Sequence, residues 1–450
     1  MNFVNIYFKL FLYLSFFNII FPYIKLPIYT FHSSPPNKST EEEYVTYFSE
    51  NNIYTYLETG SPSQKIVARL NFNDFQFRIY YNRCEILSNF DLNISKTYDI
   101  QPFGMLFSDV YVYTYLVNDT FIFNENKNNP KILTYLFSPD KDQSGSKLPQ
   151  LPYTCADIGL KYPRPDLRSY NYNFFRELHL AKLTENNIFF IEYDDKNKDE
   201  GYLILGVEPY EYNPNKYKYK KSKSISAIQN TNDLYWQLRF NSIYFTKKEN
   251  GTQYFNLTEV DADLNNDLNV ILATYEYMEI IEKQFFKEKI KNKLCTKNIL
   301  KSNYYNYECT SYKDVQEFPT LYFFHRNLGY TYELNYKDLF IEFQGKYISL
   351  IWIDMTYRKA WYLGNPFLKK YMFSFNAENK IIGFCNMDTQ EEEEKKNENN
   401  YIYVYIIIII GLLILVAVLG FFLAKAIYKK RKRKNKIHID ELIEESGRIN

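Results

Sequence analysis

The chain has 450 residues, a formal net charge of +1 and 46% hydrophobic residues. This length allows two or three domains, or one large two-lobed domain with a substantial core. The near-neutral charge provides no overall field that would select nucleic acid, so no nucleic-acid partner is expected. Only four histidines are present and no CxxC spacing occurs, so we predict no metal site and no cofactor.

Two apolar segments frame the chain. Residues 1–24 carry Lys9 in front of an apolar run and are predicted to form a secretory signal peptide. Residues 401–427 exceed the roughly 20 residues that a helix needs to cross a bilayer, and the basic cluster 429–434 follows them. The positive-inside rule places that cluster in the cytosol. We therefore expect a single-pass type I membrane protein of the secretory or endolysosomal system or the cell surface, with a lumenal or extracellular ectodomain.

The residues between the apolar segments have features of an oxidising, glycosylating compartment. Asn-x-Ser/Thr sequons begin at five positions: Asn37, Asn93, Asn118, Asn250 and Asn256. Five cysteines allow two disulfides and one remaining thiol, and the residues alone leave the pairing open. A glycoprotein with disulfides is therefore predicted.

The first informative motif in chain order is a turn followed by a strand pattern. Gly-Ser-Pro at 60–62 precedes a run, 66–73, in which apolar and polar residues alternate, which predicts a half-buried strand. Asn-Phe-Asn-Asp at 71–74 then favours a turn. This stretch resembles the first active-site strand and loop of the pepsin-like aspartic proteases, where Gly-Thr-Pro-x-Gln leads to Asp-Thr-Gly-Ser. In that resemblance the catalytic aspartate falls on Asn71 and the glycine on Asn73.

Later segments resemble the same family. They are 155–160, for Asp-Gly-Ile-x-Gly-Leu; 201–209, for a Gly-x-Leu-x-Leu-Gly strand; 235–240, for the strand that opens the second lobe; and 361–384, for Trp-x-Leu-Gly-Asp and the following Ile-Gly-Phe. The last is the most specific, because it follows the family pattern almost position by position. Apolar spacing also predicts helices within 172–183 and 272–286 and a strand over 188–193.

The second active-site loop is located by counting back from the helix predicted within 272–286. The family pattern Ala-Ile-Val-Asp-Thr-Gly-Thr-Ser then falls on 262–269, which puts the second catalytic aspartate on Asn265 and its glycine on Asp267. The resemblance also implies a disulfide in the second lobe, and Cys295 and Cys309 are the nearest pair of cysteines there.

The chemistry of the family needs two carboxylates that share one proton and activate a water molecule. An asparagine amide preserves much of the hydrogen bonding but cannot take a proton from water, so general-base activation is lost. We therefore predict no catalytic residue. Asp74 and Asp267, which lie three and two residues past the expected acids, are the candidate substitutes if the loops are rearranged.

The predicted fold is all-β, a bilobed pepsin-like fold with an N-terminal signal peptide and one C-terminal transmembrane helix. Residues 44–58 are expected to form an opening hairpin. The predicted organisation is signal peptide 1–24, flexible leader 25–43, N-terminal lobe 44–212, connector 213–226, C-terminal lobe 227–386, charged stalk 387–400, transmembrane helix 401–427 and basic cytosolic tail 428–450.

The predicted function is that of an inactive protease homologue. It would bind an extended peptide or protein between the lobes by strand addition. Two alternatives remain open: an active aspartic endopeptidase that uses displaced acids, and a non-enzymatic surface glycoprotein whose cleft is closed. Peptide hydrolysis distinguishes the first alternative, and the absence of any peptide binding the second.

Overall fold

The structure is a computed structural model of the chain, which divides into two compact units, residues 1–385 and 386–450. It describes residues 23–31, 41–50, 52–74, 76–80, 95–97, 99–101, 113–123, 131–138, 155–161, 173–214, 216–217, 225–226, 236–246, 253–300, 303–356, 358–385 and 423–432. The predicted charged stalk, residues 1–22 of the predicted signal peptide and residues 401–422 of the predicted transmembrane helix lie outside these ranges. No helix in the described ranges has the length and apolar character needed to cross a membrane.

The first unit is predominantly β. Its strands are β1 (Ile24–Phe31), β2 (Asn52–Thr59), β3 (Gln64–Asn71), β4 (Phe77–Tyr80), β5 (Asp99–Gln101), β6 (Tyr113–Ile122), β7 (Lys131–Ser138), β8 (Ala156–Gly159), β9 (Ile188–Tyr193), β10 (Glu200–Leu205), β11 (Ile225–Ser226), β12 (Gln237–Thr246), β13 (Gln253–Leu264), β14 (Ile271–Ala273), β15 (Cys295–Leu300), β16 (Tyr304–Cys309), β17 (Thr320–His325), β18 (Tyr330–Leu334), β19 (Phe340–Phe343), β20 (Lys346–Ser349), β21 (Ile351–Asp354), β22 (Trp361–Leu363), β23 (Met372–Asn376) and β24 (Ile381–Cys385).

Short helices connect these strands. They are α1 (Glu41–Ser49), α2 (Phe174–Leu180), α3 (Pro209–Tyr212), α4 (Tyr275–Ile281), which continues as a π-helical turn over Glu282–Phe286, α5 (Lys287–Lys291), α6 (Tyr312–Gln316), α7 (Tyr336–Leu339) and α8 (Asn365–Leu368). The strand predicted over 188–193 is confirmed as β9. The helices predicted within 172–183 and 272–286 are confirmed as α2 and α4, although residues 271–273 belong to a strand.

The strands form two large sheets, which confirms the expectation of a mainly β, two-lobed fold. The first sheet has the order β11-β24-β23-β9-β10-β1-β2-β3-β8-β4-β7-β6-β5, and the second has β18-β17-β12-β13-β22-β14-β21-β16-β20-β19 with β15 beside β16. We call β1–β10 the first lobe and β12–β22 the second lobe. Buried apolar residues from both lobes form one continuous core cluster.

The two lobes repeat one strand arrangement. In the first lobe β8 lies between β3, to which it is parallel, and β4, to which it is antiparallel. In the second lobe β22 lies in the same way between β13 and β14. The parallel pair β4 and β7 also has a counterpart in β14 and β21. The β3–β4 and β13–β14 connections are therefore equivalent, and these connections contain the two predicted active-site loops.

The segment predicted as a flexible leader, 25–43, and the hairpin predicted over 44–58 differ from what the structure shows. β1 pairs with both β10 and β2 because Ile24, Leu26 and Ile28 alternate into the core. Residues 41–49 form α1 instead of a strand, because Val45 and Phe48 lie one turn apart and are buried in a cluster of the second lobe.

The C-terminal hairpin also crosses the predicted lobe boundary at 227. β23 and β24 belong to the first sheet, where β23 pairs with β9, although the sequence placed them in the C-terminal lobe. Phe375 of β23 packs against Phe189 of β9 with ring centroids 4.8 Å apart, so apolar burial holds the hairpin there. The predicted disulfide between Cys295 and Cys309 is confirmed, and it joins directly opposite residues of β15 and β16.

Candidate functional site

Asn71 and Asn265 stand at equivalent places in the two lobes. Asn71 ends β3 and Asn265 directly follows β13. The preceding residues, Leu70 and Leu264, are almost fully buried, so strand alternation turns both asparagines away from the core of their own lobe. The site residues predicted from the sequence therefore occur in matching loops.

Each loop is supported from behind by a neighbouring segment. The backbone N–H of Leu160, just after β8, donates to the Asn71 carbonyl at 2.7 Å, and the Asn265 N–H donates to the Leu363 carbonyl at 3.1 Å. These supports come from the parallel strands β8 and β22. The equivalence of the loops thus extends to the backbone that holds them.

Both asparagine side chains close a turn with their own loop. Asn71 Oδ1 accepts hydrogen bonds from the backbone N–H groups of Asn73 at 2.9 Å and Asp74 at 3.1 Å. Asn265 Oδ1 accepts from the N–H of Asp267 at 2.9 Å. Since Asn and Asp side chains both form such turns, the amides preserve this part of a loop built around aspartates.

Hydrogen bonds that involve side chains and backbone groups join the two loops to each other. Asn265 Nδ2 donates to Asn73 Oδ1 at 3.0 Å. Asp267 Oδ2 accepts three hydrogen bonds from the first lobe, from the Phe72 N–H at 2.8 Å, the Asn73 N–H at 3.1 Å and Asn73 Nδ2 at 2.8 Å. We call Asn73, Asn265 and Asp267 the interlobe clasp. Two of its members, Asn73 and Asp267, stand where the resemblance places glycines, and Asn265 stands where it places the second aspartate.

Asp74, the other candidate substitute acid, is held elsewhere. Its Oδ2 forms an ion pair with Arg78, and its Oδ1 accepts from the Gln76 N–H at 3.0 Å. Asp267 instead receives its hydrogen bonds from Phe72 and Asn73. The two candidate acids therefore have separate sets of partners.

Burial raises the pKa of Asp267 to about 7, against the opposing effects of the Phe72 and Asn73 hydrogen bonds and of the Arg69 charge. Because Oδ2 already accepts three hydrogen bonds, the proton of the neutral acid belongs on Oδ1. A single carboxyl group that is half protonated near neutral pH thus joins the lobes.

Replacing Asp267 by asparagine is expected to remove a pH dependence of stability. The folded-state pKa is raised above the roughly 3.9 of an unfolded aspartate, so the native state binds more protons than the unfolded state between about pH 4 and pH 7. Wild-type stability from this group is complete below pH 4 and is lost as the pH rises to about 7. An amide can accept the same hydrogen bonds without titrating.

The measurement is urea denaturation of wild type and D267N at pH 4.5, 6 and 8. The difference in unfolding free energy, variant minus wild type, should rise with pH by up to about 1.4 kcal/mol per pH unit in the titrating range. The control D195N changes an aspartate whose side chain is 77% exposed and should leave the profile unchanged. Parallel curves for D267N and wild type would contradict this account of the clasp.

Gly364 lets the backbone pack closely behind the second loop. A Cβ at this position would lie 2.3 Å from the Val270 carbonyl oxygen and 2.4 Å from that of Leu268. We expect G364A to lower the unfolding free energy by about 2–3 kcal/mol, because backbone atoms must shift. Chemical denaturation measures the loss, and a loss below about 0.5 kcal/mol would show that the loop yields without cost.

Sequence reasoning missed the charged residues that lie two positions before each loop. Arg69 forms a two-point ion pair with Asp157, through Nε to Oδ1 at 3.0 Å and Nη2 to Oδ2 at 3.1 Å. In the second lobe, Asp263 is buried and accepts from Gln237 Nε2 at 2.6 Å. The signal was present in the sequence, since a charged residue interrupts an apolar strand pattern at each position.

Two other residues fasten the loops to the core. Phe72 is 5% exposed and packs against Phe189 and Phe375, with ring centroids 6.0 and 5.9 Å away. Asn266 is also buried and makes hydrogen bonds of 3.0 and 2.7 Å with the Tyr193 hydroxyl. Both loops are therefore anchored independently of their outward-facing side chains. Within the described ranges, no group of three or more His, Cys, Asp or Glu side chains could hold a metal ion.

Comparison with known proteins agrees with this arrangement. A family model of the eukaryotic aspartyl proteases matches residues 56–387, well over half of the chain. No curated protein sequence matches the chain significantly. The matched range contains both loops, both parallel supports and the confirmed disulfide. The chain belongs to the eukaryotic aspartyl protease family.

Proposed function

We propose that this aspartyl protease homologue is a pseudoprotease, which binds an extended peptide or protein segment between its lobes and does not cleave it. In this proposal Asn71 and Asn265 stand where active members of the family carry their two acids. The observation that supports it most directly is the interlobe clasp, because it joins the two loops through amides and a single carboxyl group.

The clasp leaves no arrangement for the family's chemistry among its own residues. Activation of water needs one carboxylate to accept its proton while a second carboxyl group donates. Asp267 is the single acid of the clasp, and three hydrogen bonds from Phe72 and Asn73 occupy its Oδ2. An amide such as that of Asn265 has no proton to exchange near neutral pH, so a bound peptide would stay intact.

The same geometry supports binding. Asn71 is partly exposed and Asn73 fully exposed at the junction of the lobes, and Phe72, which lies between them, fastens their loop to the core. Asn73 is engaged in the clasp, whereas Asn71 uses its Oδ1 within its own turn and leaves its Nδ2 as a donor for a ligand. A side-chain N–H donates to the backbone carbonyls of an extended peptide, so this exposed junction suits a ligand that is recognised through its main chain.

An active endopeptidase remains the second candidate, and it would need Asp74 and Asp267 to act as a pair. Nothing in their contacts favours this, since Asp74 is engaged by Arg78 and Gln76 while Asp267 holds the clasp. The third candidate, a surface glycoprotein with no cleft ligand, differs from the proposal in binding no peptide.

We further propose that the protein is anchored by residues 401–427 as a single-pass type I membrane protein, with both lobes in the lumen or outside the cell. The support is the apolar run, the basic cluster 429–434 that follows it, and the sequons and disulfide of the preceding chain. Protease protection of sealed microsomes tests this topology, and digestion of the lobes from the cytosolic side would overturn it.

Peptide binding is tested with fluorescently labelled, end-blocked synthetic decapeptides and the purified full-length chain. We expect the fluorescence polarisation of unmodified peptides to rise to saturation as the concentration of the chain is increased. Matched peptides with two central N-methylated residues should bind at least about tenfold more weakly, because they lose backbone donors that strand addition uses. Equal binding of the two series, or none by either, would overturn the proposed mode of recognition.

A further inference from the structure

The two equivalent positions before the loops carry opposite charges. Arg69 lies two residues before Asn71, and Asp263 lies two residues before Asn265. Strand side chains alternate between faces, so each charged residue lies on the same face as the asparagine of its loop. The parallel partners of these positions are Asp157 on β8 and Tyr362 on β22. The lobes repeat the geometry but not the charge.

In the ion pair of the first lobe, Arg69 is more exposed to solvent than Asp157. The Arg69 side chain is 22% exposed, whereas that of Asp157 is 2% exposed. Arg69 lies two residues before Asn71 on the same face of β3, which places the pair beside the loop that carries the clasp residue Asn73. A ligand that crosses the clasp would therefore meet the guanidinium group and not the carboxylate.

The second-lobe position has the opposite character. Asp263 is 5% exposed and lies on the same side of its strand as Asn265, two residues further along the chain. Arg358 reaches over the neighbouring Tyr362, donating from Nη1 to the hydroxyl at 2.9 Å. A ligand carboxylate placed here would approach a buried acid and would gain less than one placed over Arg69.

On the basis of the proposed peptide binding, we propose that Arg69 is a specificity-determining residue, which selects extended ligands with an acidic side chain on the first-lobe side of the clasp. An apolar side chain over Arg69 would strip water from the guanidinium group without replacing its hydrogen bonds. A carboxylate replaces them with charge-assisted hydrogen bonds. Because Asp263 takes the equivalent position in the second lobe, the preference applies to one side of the clasp only.

The test is a positional scan with labelled, end-blocked decapeptides in which one position at a time is Glu, Gln or Lys. Binding is measured by fluorescence polarisation with the full-length chain at pH 7.5. We expect Glu to bind about tenfold more tightly than Gln at one position, as for a single charge-assisted hydrogen-bond pair. The preference should weaken as salt is raised, because Arg69 is partly exposed to water.

The variant R69M/D157L removes the ion pair as a unit. Replacing both members of a largely buried pair by apolar residues is often neutral for stability, whereas removing Arg69 alone would take its two-point ion pair from the buried Asp157 carboxylate. In this variant the Glu and Gln peptides should bind within about twofold of each other, because the Glu preference is lost. The control K216M disrupts an ion pair of comparable exposure, with Glu192 on β9, and should retain the preference.

The outcomes separate the two proposals. Peptides that bind with no Glu preference, or with a preference that R69M/D157L retains, would overturn the role of Arg69 and leave the proposed function standing. A preference lost in K216M as well as in R69M/D157L would also overturn it. If none of the scanned peptides binds the full-length chain, the proposed function and the inference both fail.

Discussion

Replacement of Trp236 by alanine is expected to lower the unfolding free energy by about 3–5 kcal/mol, the range for large aromatic residues in well-packed cores. Trp236 is 3% exposed and packs against Phe375 and Phe189, with ring centroids 5.1 and 5.9 Å away. Its indole N–H also donates to the Leu160 carbonyl at 2.7 Å. One side chain that immediately precedes β12 thus joins the second lobe to the support of the first loop.

A second variant separates the packing of Trp236 from its hydrogen bond, and a third is a control at the surface. W236F retains most of the aromatic packing but leaves the Leu160 carbonyl without its buried donor, so we expect a loss of about 1–3 kcal/mol. Y312A changes a tyrosine that is 44% exposed and should cost less than about 0.5 kcal/mol. Urea denaturation of the full-length chain measures all three. A loss below about 1 kcal/mol for W236A would show that the lobes do not depend on this contact.

The second large effect concerns catalysis. We expect peptide hydrolysis to be undetectable in wild type and in N71D/N265D, and to appear only in N71D/N73G/N265D/D267G. Restoring the acids alone is insufficient, because Asn73 Oδ1 loses the Nδ2 donor of Asn265 and the carboxyl group of Asp267 stays beside the new acids. With Asp267 still present, three carboxyl groups compete for the single proton that two should share, so the one-proton pair that the family's chemistry requires is not formed.

The glycine replacements remove both competing side chains. We expect the rate of peptide hydrolysis by N71D/N73G/N265D/D267G to exceed the uncatalysed rate by at least about 100-fold, which is the lower range for positioned general acid–base catalysis. The rate should show a bell-shaped pH dependence. Mass spectrometry of blocked decapeptides between pH 3 and pH 7 measures this, with D74A as a control that should remain inactive. Turnover by wild type that D74A abolishes would contradict the proposal and identify Asp74 as an acid.

The positions of both loops could be predicted from the sequence because their causes are local. Apolar alternation ends at 71, and short polar residues favour a turn there. The second loop precedes a helix whose apolar spacing is visible around Tyr277 and Ile281. These local features mark the two loops, whereas the placement of Asn71 and Asn265 at matching sites came from the family resemblance.

Helix α1 was missed although its signals were present. Val45 and Phe48 have helical spacing, and Thr40 with Glu43 fits a capping box before a helix that begins at Glu41. Tyr44 and Tyr47 also fit a strand, and burial of Val45 and Phe48 in one cluster with Leu272 and Trp352 of the second lobe favours the helix. Contacts across more than 200 residues of sequence leave no trace in a local pattern.

The role of Asp267 could not be predicted for the same reason. Its hydrogen bonds join it to Phe72 and Asn73, 195 and 194 residues away. From the sequence it was a candidate acid on a turn. The structure shows it as the carboxyl group that joins the lobes, which explains why a charged residue is tolerated where the family resemblance places glycine.

The central claim is that the interlobe site binds a peptide and leaves it intact. In the most direct measurement, the full-length chain is incubated with a saturating concentration of a blocked decapeptide at pH 4.5 and pH 7. The masses of the complex and of the released peptide are then measured by mass spectrometry. The account predicts a complex whose peptide mass is unchanged at both pH values. Peptide fragments that appear with wild type and disappear with D267N would contradict it.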